Sequence, residues 1–374
     1  MRKDAIHRFA LLLAGTIALT ASLATDAHAQ WQISTQDGKS TLKIGFLAQP
    51  QGEWIDTPDS EHTSQNLFLR RIRLIFGGNI GERWSFFIET DSPNLGKATG
   101  ETDPEQTKNQ GDMFLQDVVL TWSRGDAFKV DTGMLLVPVS HNSQQGATAL
   151  LPIDYGPYSF LHSDPTTSRT GRDYGLQLRG YPFGQHMEYR LGVFQGYRGE
   201  DATEPFRMAS RLVWYPFEAD TGLFYTGTTL GTKRILALGA SYDRQGGYSA
   251  AAGDLFYDQP LANGDGLTFQ ADFIRYDGGD FFPPVGGEPQ LPRQNAWLIE
   301  GGYYLHAVKM GPFVQMARRG FEDPLTPDES KYQLGLAWWP NGHRLNLKLA
   351  AARLEKDGAP DRTQVVVQCQ IFAY

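Results

Sequence analysis

The chain has 374 residues, with 34 Lys and Arg against 42 Asp and Glu and a formal net charge of −8, a balance that offers nothing to nucleic acid. Its 41 glycines and 12 % aromatic residues suit many short strands with tight turns and argue against a helical protein. A single cysteine, Cys369, leaves no intramolecular disulfide.

Residues 1–29 have the layout of a secretory signal peptide. Arg2, Lys3 and Arg8 make a positive start, an apolar stretch follows from Ala10 to Leu23, and Ala27-His28-Ala29 is a small-residue cleavage site. The apolar run is broken by Gly15, Thr16 and Thr20, which disfavours a membrane anchor. Residues 30–374 then form one unit, with no linker-like break and no stretch near the ~18 apolar residues of a spanning helix.

Sixteen strands are expected, near 41–50, 66–78, 84–92, 113–123, 128–139, 173–181, 187–196, 206–215, 233–244, 250–259, 266–276, 295–304, 309–319, 331–339, 344–354 and 363–374. Most have the ~9–11 residues that a tilted bilayer-crossing strand requires. Their connections alternate between short turns such as "SRGDA", "YPFGQH" and "WPNGHR" and long polar loops at 51–65, 93–111, 140–172, 277–294 and 321–330. A transmembrane barrel has short turns at one rim and long loops at the other. Two connections fit less cleanly: 216–232 is long for the short-turn rim, and 245–249 is short for the other.

Period-two alternation gives each strand an apolar and a polar face. In "GLQLRGYPFGQHMEYRLGVF" (175–194), Leu176, Leu178, Leu191 and Val193 oppose Gln177, Arg179, Glu188 and Arg190. Ile72, Leu74 and Phe76 oppose Arg71 and Arg73, and Leu267 and Phe269 oppose Thr268, Gln270 and Asp272. An Arg or Lys on the lipid face at mid-depth costs about 2–4 kcal/mol, so in a barrel the charged faces look into a wet lumen. A soluble, secreted, ligand- or partner-binding β-protein would alternate likewise. The aromatic residues near the short turns favour the barrel: Trp84, Trp122, Phe128, Phe183, Trp214, Tyr215, Phe217, Trp338 and Trp339 gather where an interfacial girdle belongs. The last strand, "RTQVVVQCQIFAY", ends on Tyr374, in the manner of strands read by the barrel assembly machinery. Gln368 and Gln370 share the face of Phe372 and Tyr374, which calls for a bulge or for an outer face covered by another subunit.

Three stretches, "FLRRIRLIFGGNIGERWSFFIETD" at 68–91, "VDTGMLLVPVS" at 130–140 and "GRDYGLQLRGYPFGQHMEYRLGVFQG" at 171–196, resemble the phosphate-selective porin family named for porins O and P. The likeness extends over most of the exported chain. It implies an all-β fold, a sixteen-stranded antiparallel transmembrane barrel, trimeric, in the outer membrane of a Gram-negative bacterium. It also implies an eyelet narrowed by an inward-folded third loop, which here lies within 141–172. Outer-membrane lipid and lipopolysaccharide are then expected partners.

The candidate pore-lining residues are Lys43, Arg71, Arg73, Glu89, Asp117, Arg179, Arg190, Arg207, Arg211, Asp272 and Lys348, with Asp91, Asp131, Glu188 and Glu300 on the same faces. Arg71, Arg73, Arg207 and Arg211 would form a phosphate site if they converge; balanced by neighbouring carboxylates, they would merely keep the lumen wet. The long loop mixes Leu150, Leu151, Tyr155, Tyr158 and Phe160 with polar residues, as a segment packed inside the barrel requires. Tyr155, Tyr158, Arg169 and Arg172 are its candidate constriction residues. His141 and His162 lack ligand spacing, and "GTTLGTKR" at 227–234 lacks the Gly-Lys-Ser/Thr ending of a phosphate loop. No cofactor and no enzymatic activity is expected. Passive diffusion of small hydrophilic solutes, with phosphate-like anions among the candidates, is the function this reading predicts.

Overall fold

In the computed structural model, residues 31–56, 63–100, 107–166, 168–198, 204–279 and 291–374 are described; the expected signal peptide lies outside them. Nearly all of the regular structure is strand: β1 (Trp31–Ser34), β2 (Thr41–Asp56), β3 (Thr63–Ile80), β4 (Trp84–Asp91), β5 (Phe114–Ser123), β6 (Lys129–Leu136), β7 (Arg172–Gly180), β8 (Met187–Phe194), β9 (Arg207–Trp214), β10 (Ile235–Gln245), β11 (Tyr248–Pro260), β12 (Gly266–Asp277), β13 (Gln294–Tyr304), β14 (Met310–Phe321), β15 (Glu329–Asn341), β16 (Leu345–Lys356) and β17 (Arg362–Ala373). Each strand from β2 onward pairs antiparallel with the next, and β17 returns to β2. The sixteen strands β2–β17 therefore close a ring, and closure removes the unpaired edges that a bilayer could not satisfy.

β1 is an addition to the expected set. It pairs with Thr41–Ile44, while β17 meets β2 only as far as Phe46. The short strand thus extends the wall along the part of β2 that β17 does not reach. Strands β2, β3 and β15 run several residues past their expected ends, since wall hydrogen bonding continues into the loops. At the long-loop rim β10 and β11 join through only Gly246 and Gly247, with Gln245 opposite Tyr248.

The faces follow the alternation. Leu191 is 48 % exposed and Phe269 40 %, both on the outside, whereas Arg190 is 1 % exposed. That orientation is the reverse of a soluble sandwich and rules out the alternative secreted form. The girdle is partly corrected: Trp84, Phe128, Phe183 and Trp214 are exposed, but Tyr215 and Trp339 are buried on the inside. Neighbours in a strand point to opposite faces, so Trp214-Tyr215 and Trp338-Trp339 cannot both meet lipid.

β17 shows no register shift along β2. Phe372 and Tyr374 instead turn inward and pack with Leu47 and Ile75, so neither the bulge nor the covering subunit is needed to explain their phase. Gly77 makes the room: a Cβ there would sit 1.8 Å from the Tyr374 hydroxyl.

Candidate functional site

The lumen is occupied by chain entering from both rims. From the long-loop rim, residues 137–166 and 168–171 leave β6 and fold inside the ring. Their helix α1 (His141–Gln144) starts with a reciprocal cap, in which Ser143 N donates to Ser140 Oγ and Ser140 N donates to Ser143 Oγ. Apolar residues of the segment pack against three sectors of the inner wall. Val137 and Val139 meet Phe194, Tyr248 and Ile274; Leu151 and Ile153 meet Phe313 and Trp339; Ala147, Leu150 and Tyr155 meet Leu47 and Ile75. Each fully buried aliphatic side chain contributes about 1.5–3 kcal/mol.

Polar side chains of the wall hold the same segment by its backbone. Lys348 Nζ donates to the carbonyls of Leu150 (2.5 Å) and Pro152 (2.8 Å). Gln370 donates to Thr148 O and Gln315 to Asp154 O, both at 2.9 Å, and the Asp272 carboxylate accepts from Asn142 N at 3.0 Å. Asp154 receives Arg70 and Arg71, each at 2.6 Å. Both arginines can reach it because of a bulge: Ala48 faces Ile72 while Pro50 faces Leu69, and the extra residue lets two consecutive side chains of β3 turn inward. Among loop residues, Tyr155 donates to Gln145 O at 2.8 Å, Tyr158 lies beneath Arg319, and Arg169 is exposed over the Phe114 ring at 4.0 Å.

A second segment, 215–234, comes from the opposite rim and accounts for the over-long connection there. It runs alongside the first, with Gln145 bridged to Tyr225 in parallel. Tyr225 N donates to Gln144 O and Gly146 N to Tyr225 O. His141 stacks between Tyr225 and Phe256, centroids 4.8 and 4.2 Å away, and its Nε2 donates to Thr226 O at 3.1 Å. Burial pushes the His141 ring down to about 4, against a smaller opposing pull from Asp254. Asp258 accepts from Thr229 N at 2.6 Å, which ties this segment to β11.

The lumen-facing arginines do not converge. Arg71 and Arg73 stand on β3, Arg207 and Arg211 on β9, and each has its own carboxylates. Arg73 bonds Glu89 (2.5 Å) and Asp91 (2.8 Å), Arg172 bonds Asp117, and Arg179 bonds Asp131. Arg190 bonds Glu188 at 2.6 Å, Arg207 bonds Asp243 and Asp173, and Arg211 forms a two-pronged pair with Asp254 at 2.6 and 2.7 Å. Gly239 clears space for that last pair, since a Cβ there would lie 2.4 Å from Asp254 Oδ1. Lys43, half-buried on the inner face of β2, has no partner among the described residues. Buried carboxylates outnumber buried cations, fourteen to eight, among the described residues.

Arg70, Asp154, Asp173, Asp243 and Asp254 are structural partners that the face reading did not single out. The Arg70-Arg71 doublet did carry a signal. Only a bulge keeps both charges out of lipid.

Two concavities differ in chemistry. The larger, about 690 Å³, lies on the outer wall among Leu255, Phe269 and Val314 with no charged lining; it is part of the lipid-facing surface. The other, about 150 Å³, lies inside between the two inward segments and the wall formed by β3, β4 and β17.

The family described as phosphate-selective porin O and P matches residues 25–242. No curated protein matches the chain in sequence. Among solved structures, the anion-selective porin of Comamonas acidovorans is similar at 13 % identity and TM-score 0.61, over 89 % of this chain and 100 % of its own. OmpF of Salmonella typhi, in a complex with daunomycin, is similar at 12 % identity and TM-score 0.59, over 91 % and 100 %. The trimer form of Vibrio cholerae OmpT is similar at 9 % identity and TM-score 0.53, over 88 % and 99 %. A closed ring, an apolar exterior, a charged interior and a matching family over more than half its length lead to one assignment: the chain belongs to the phosphate-selective porin O and P family and is an outer-membrane porin.

Proposed function

We propose that this porin passes small hydrophilic solutes by diffusion, without catalysis, and that its lumen favours cations over phosphate-like anions. The observation that carries the charge preference is the excess of buried carboxylates over buried cations. Among the described residues every buried arginine is bonded to a carboxylate. A lumen that presents spare carboxylates and neutralised guanidiniums attracts positive solutes, since selectivity follows the local field at the narrow point. In this reading the 137–171 segment, with Tyr155 and Arg172, forms the constriction.

A preference for phosphate is the second reading. It rests on the family's description and on Lys43 and Arg169, which have no carboxylate partner among the described residues. Reversal potential in a potassium chloride gradient separates the two: the sign expected is that of a cation-preferring pore, and phosphate block of a chloride current would overturn it. A homotrimer, contact with lipopolysaccharide and recognition of the last strand by the barrel assembly machinery complete the proposal. The trimer is supported by the OmpT relative, and native electrophoresis of detergent-extracted protein tests it.

A further inference from the structure

The inner chamber of about 150 Å³ has two unlike sides. One is aromatic: Phe87 stands edge-on to Phe224 at 5.4 Å and to Tyr374 at 6.0 Å, with Phe372 beside them. The other is charged, lined by Glu89, Arg73 and Arg172. Polar lumens need no such cluster of rings, and the rings come from three separate parts of the chain: β4, the 215–234 segment and the end of β17.

The charged side is unevenly satisfied. Arg73 sits between Glu89 and Asp91, and Asp117 takes Arg172 by both oxygens, so three carboxylates answer two guanidiniums. Glu89 is 5 % exposed. Its Oε1 accepts from Arg73, and Oε2 has no partner among the described residues. A carboxylate oxygen that lines a chamber with no protein donor on it is open to the N–H of a solute. Ring faces add attraction for a cation over them, and a cavity of roughly this volume holds one benzene-sized ring.

The geometry points to a solute-binding subsite in this chamber for a small aromatic ammonium ion, its ring among Phe87, Phe224 and Tyr374 and its N–H donors on Glu89 Oε2. This deepens the cation-preferring reading and rests on it for the route by which the solute arrives. Benzylammonium is the probe and benzoate its charge-reversed counterpart. Calorimetry on the detergent-solubilised porin reads binding whether or not the protein conducts, and potassium chloride conductance of the same preparation judges the porin reading separately.

Benzylammonium is expected to bind at least about tenfold more tightly than benzoate, the size of one charged hydrogen bond. Glu89→Gln should weaken it by about tenfold, and Phe224→Ala, outside the strands, by about fivefold through the lost ring contact. If Glu89→Gln does not fold, Phe224→Ala carries the test. Benzoate binding as tightly as benzylammonium, or benzylammonium binding unchanged by Phe224→Ala, overturns the subsite. A block of current by benzylammonium that weakens in the same variants would place the chamber on the conduction route.

Discussion

The two inward segments fill the same lumen by different means. Residues 137–171 are held from around the ring: Arg70 and Arg71 on β3, Asp272 on β12, Gln315 on β14, Lys348 on β16 and Gln370 on β17 all reach them. Residues 215–234 are also held by the wall: Glu188 on β8 accepts from the Tyr215 and Tyr225 hydroxyls, Arg211 on β9 donates to the Tyr225 hydroxyl, Asp258 on β11 accepts from Thr229 N, and Thr268 and His343 meet Thr228. The first is a diaphragm fixed to the wall from many strands, and the second is fixed both to the wall and to the diaphragm through Gln144, Gly146 and His141. The bonds from β3, β14, β16 and β17 meet only the first segment, so loosening those should disturb the lumen most, whereas loosening a single wall bond of the second should disturb it least.

The largest effect expected is at the arginine clamp. Asp154→Ala leaves Arg70 and Arg71 without their carboxylate and should cost about 3 kcal/mol, the low end for breaking a buried pair because Asp154 is partly exposed. Single-channel conductance should rise and grow noisy, and a variant with unchanged conductance would show that the clamp does not hold the diaphragm. Lys348→Met removes both bonds to the Leu150 and Pro152 carbonyls and should cost about 2 kcal/mol, with a smaller rise in conductance in the same bilayer recordings. Asp258→Ala frees Thr229 alone. About 1 kcal/mol is expected, with denaturant midpoint slightly lowered and conductance changed least; an effect as large as that of Asp154→Ala would break the ranking of the two segments.

The mildest perturbation is acid, and it acts where the segments meet. His141 is neutral in the fold because burial holds its ring at about 4, below the unfolded value of 6.5. Its stabilising contribution is complete above about pH 6.5 and is lost as pH falls toward 4. Current fluctuations should increase over that window and should be weakened in His141→Phe, which keeps the stack on Tyr225 and Phe256 without a proton site. Fluctuations identical in the two proteins would assign the effect to other groups.

The wall was legible in the chain and the interior only in part. Alternation located Arg190 inside and Leu191 outside because strand geometry leaves no other choice once the exterior is lipid. The length and mixed polarity of 140–172 marked a segment packed inside the barrel. The 215–234 segment was visible only as a connection too long for its rim, since nothing local in "EADTGLFYTGTTLGTK" says that Tyr225 will stack on His141. Arg73 and Arg207 read as neighbours in kind, but they stand on β3 and β9 with different carboxylates.

Local pattern is enough to specify a sixteen-stranded ring, its inside and its outside, since each residue's face depends on its immediate neighbours and on the hydrocarbon around them. Which charge meets which depends on the register of strands far apart in the chain and on two loops that cross the lumen. Asp154 finds Arg70 and Arg71 across 84 and 83 positions, Lys348 finds Leu150 across 198, and the aromatic chamber gathers rings from three separate segments. Those pairings decide the field inside the pore, and closure of the ring is what brings them together.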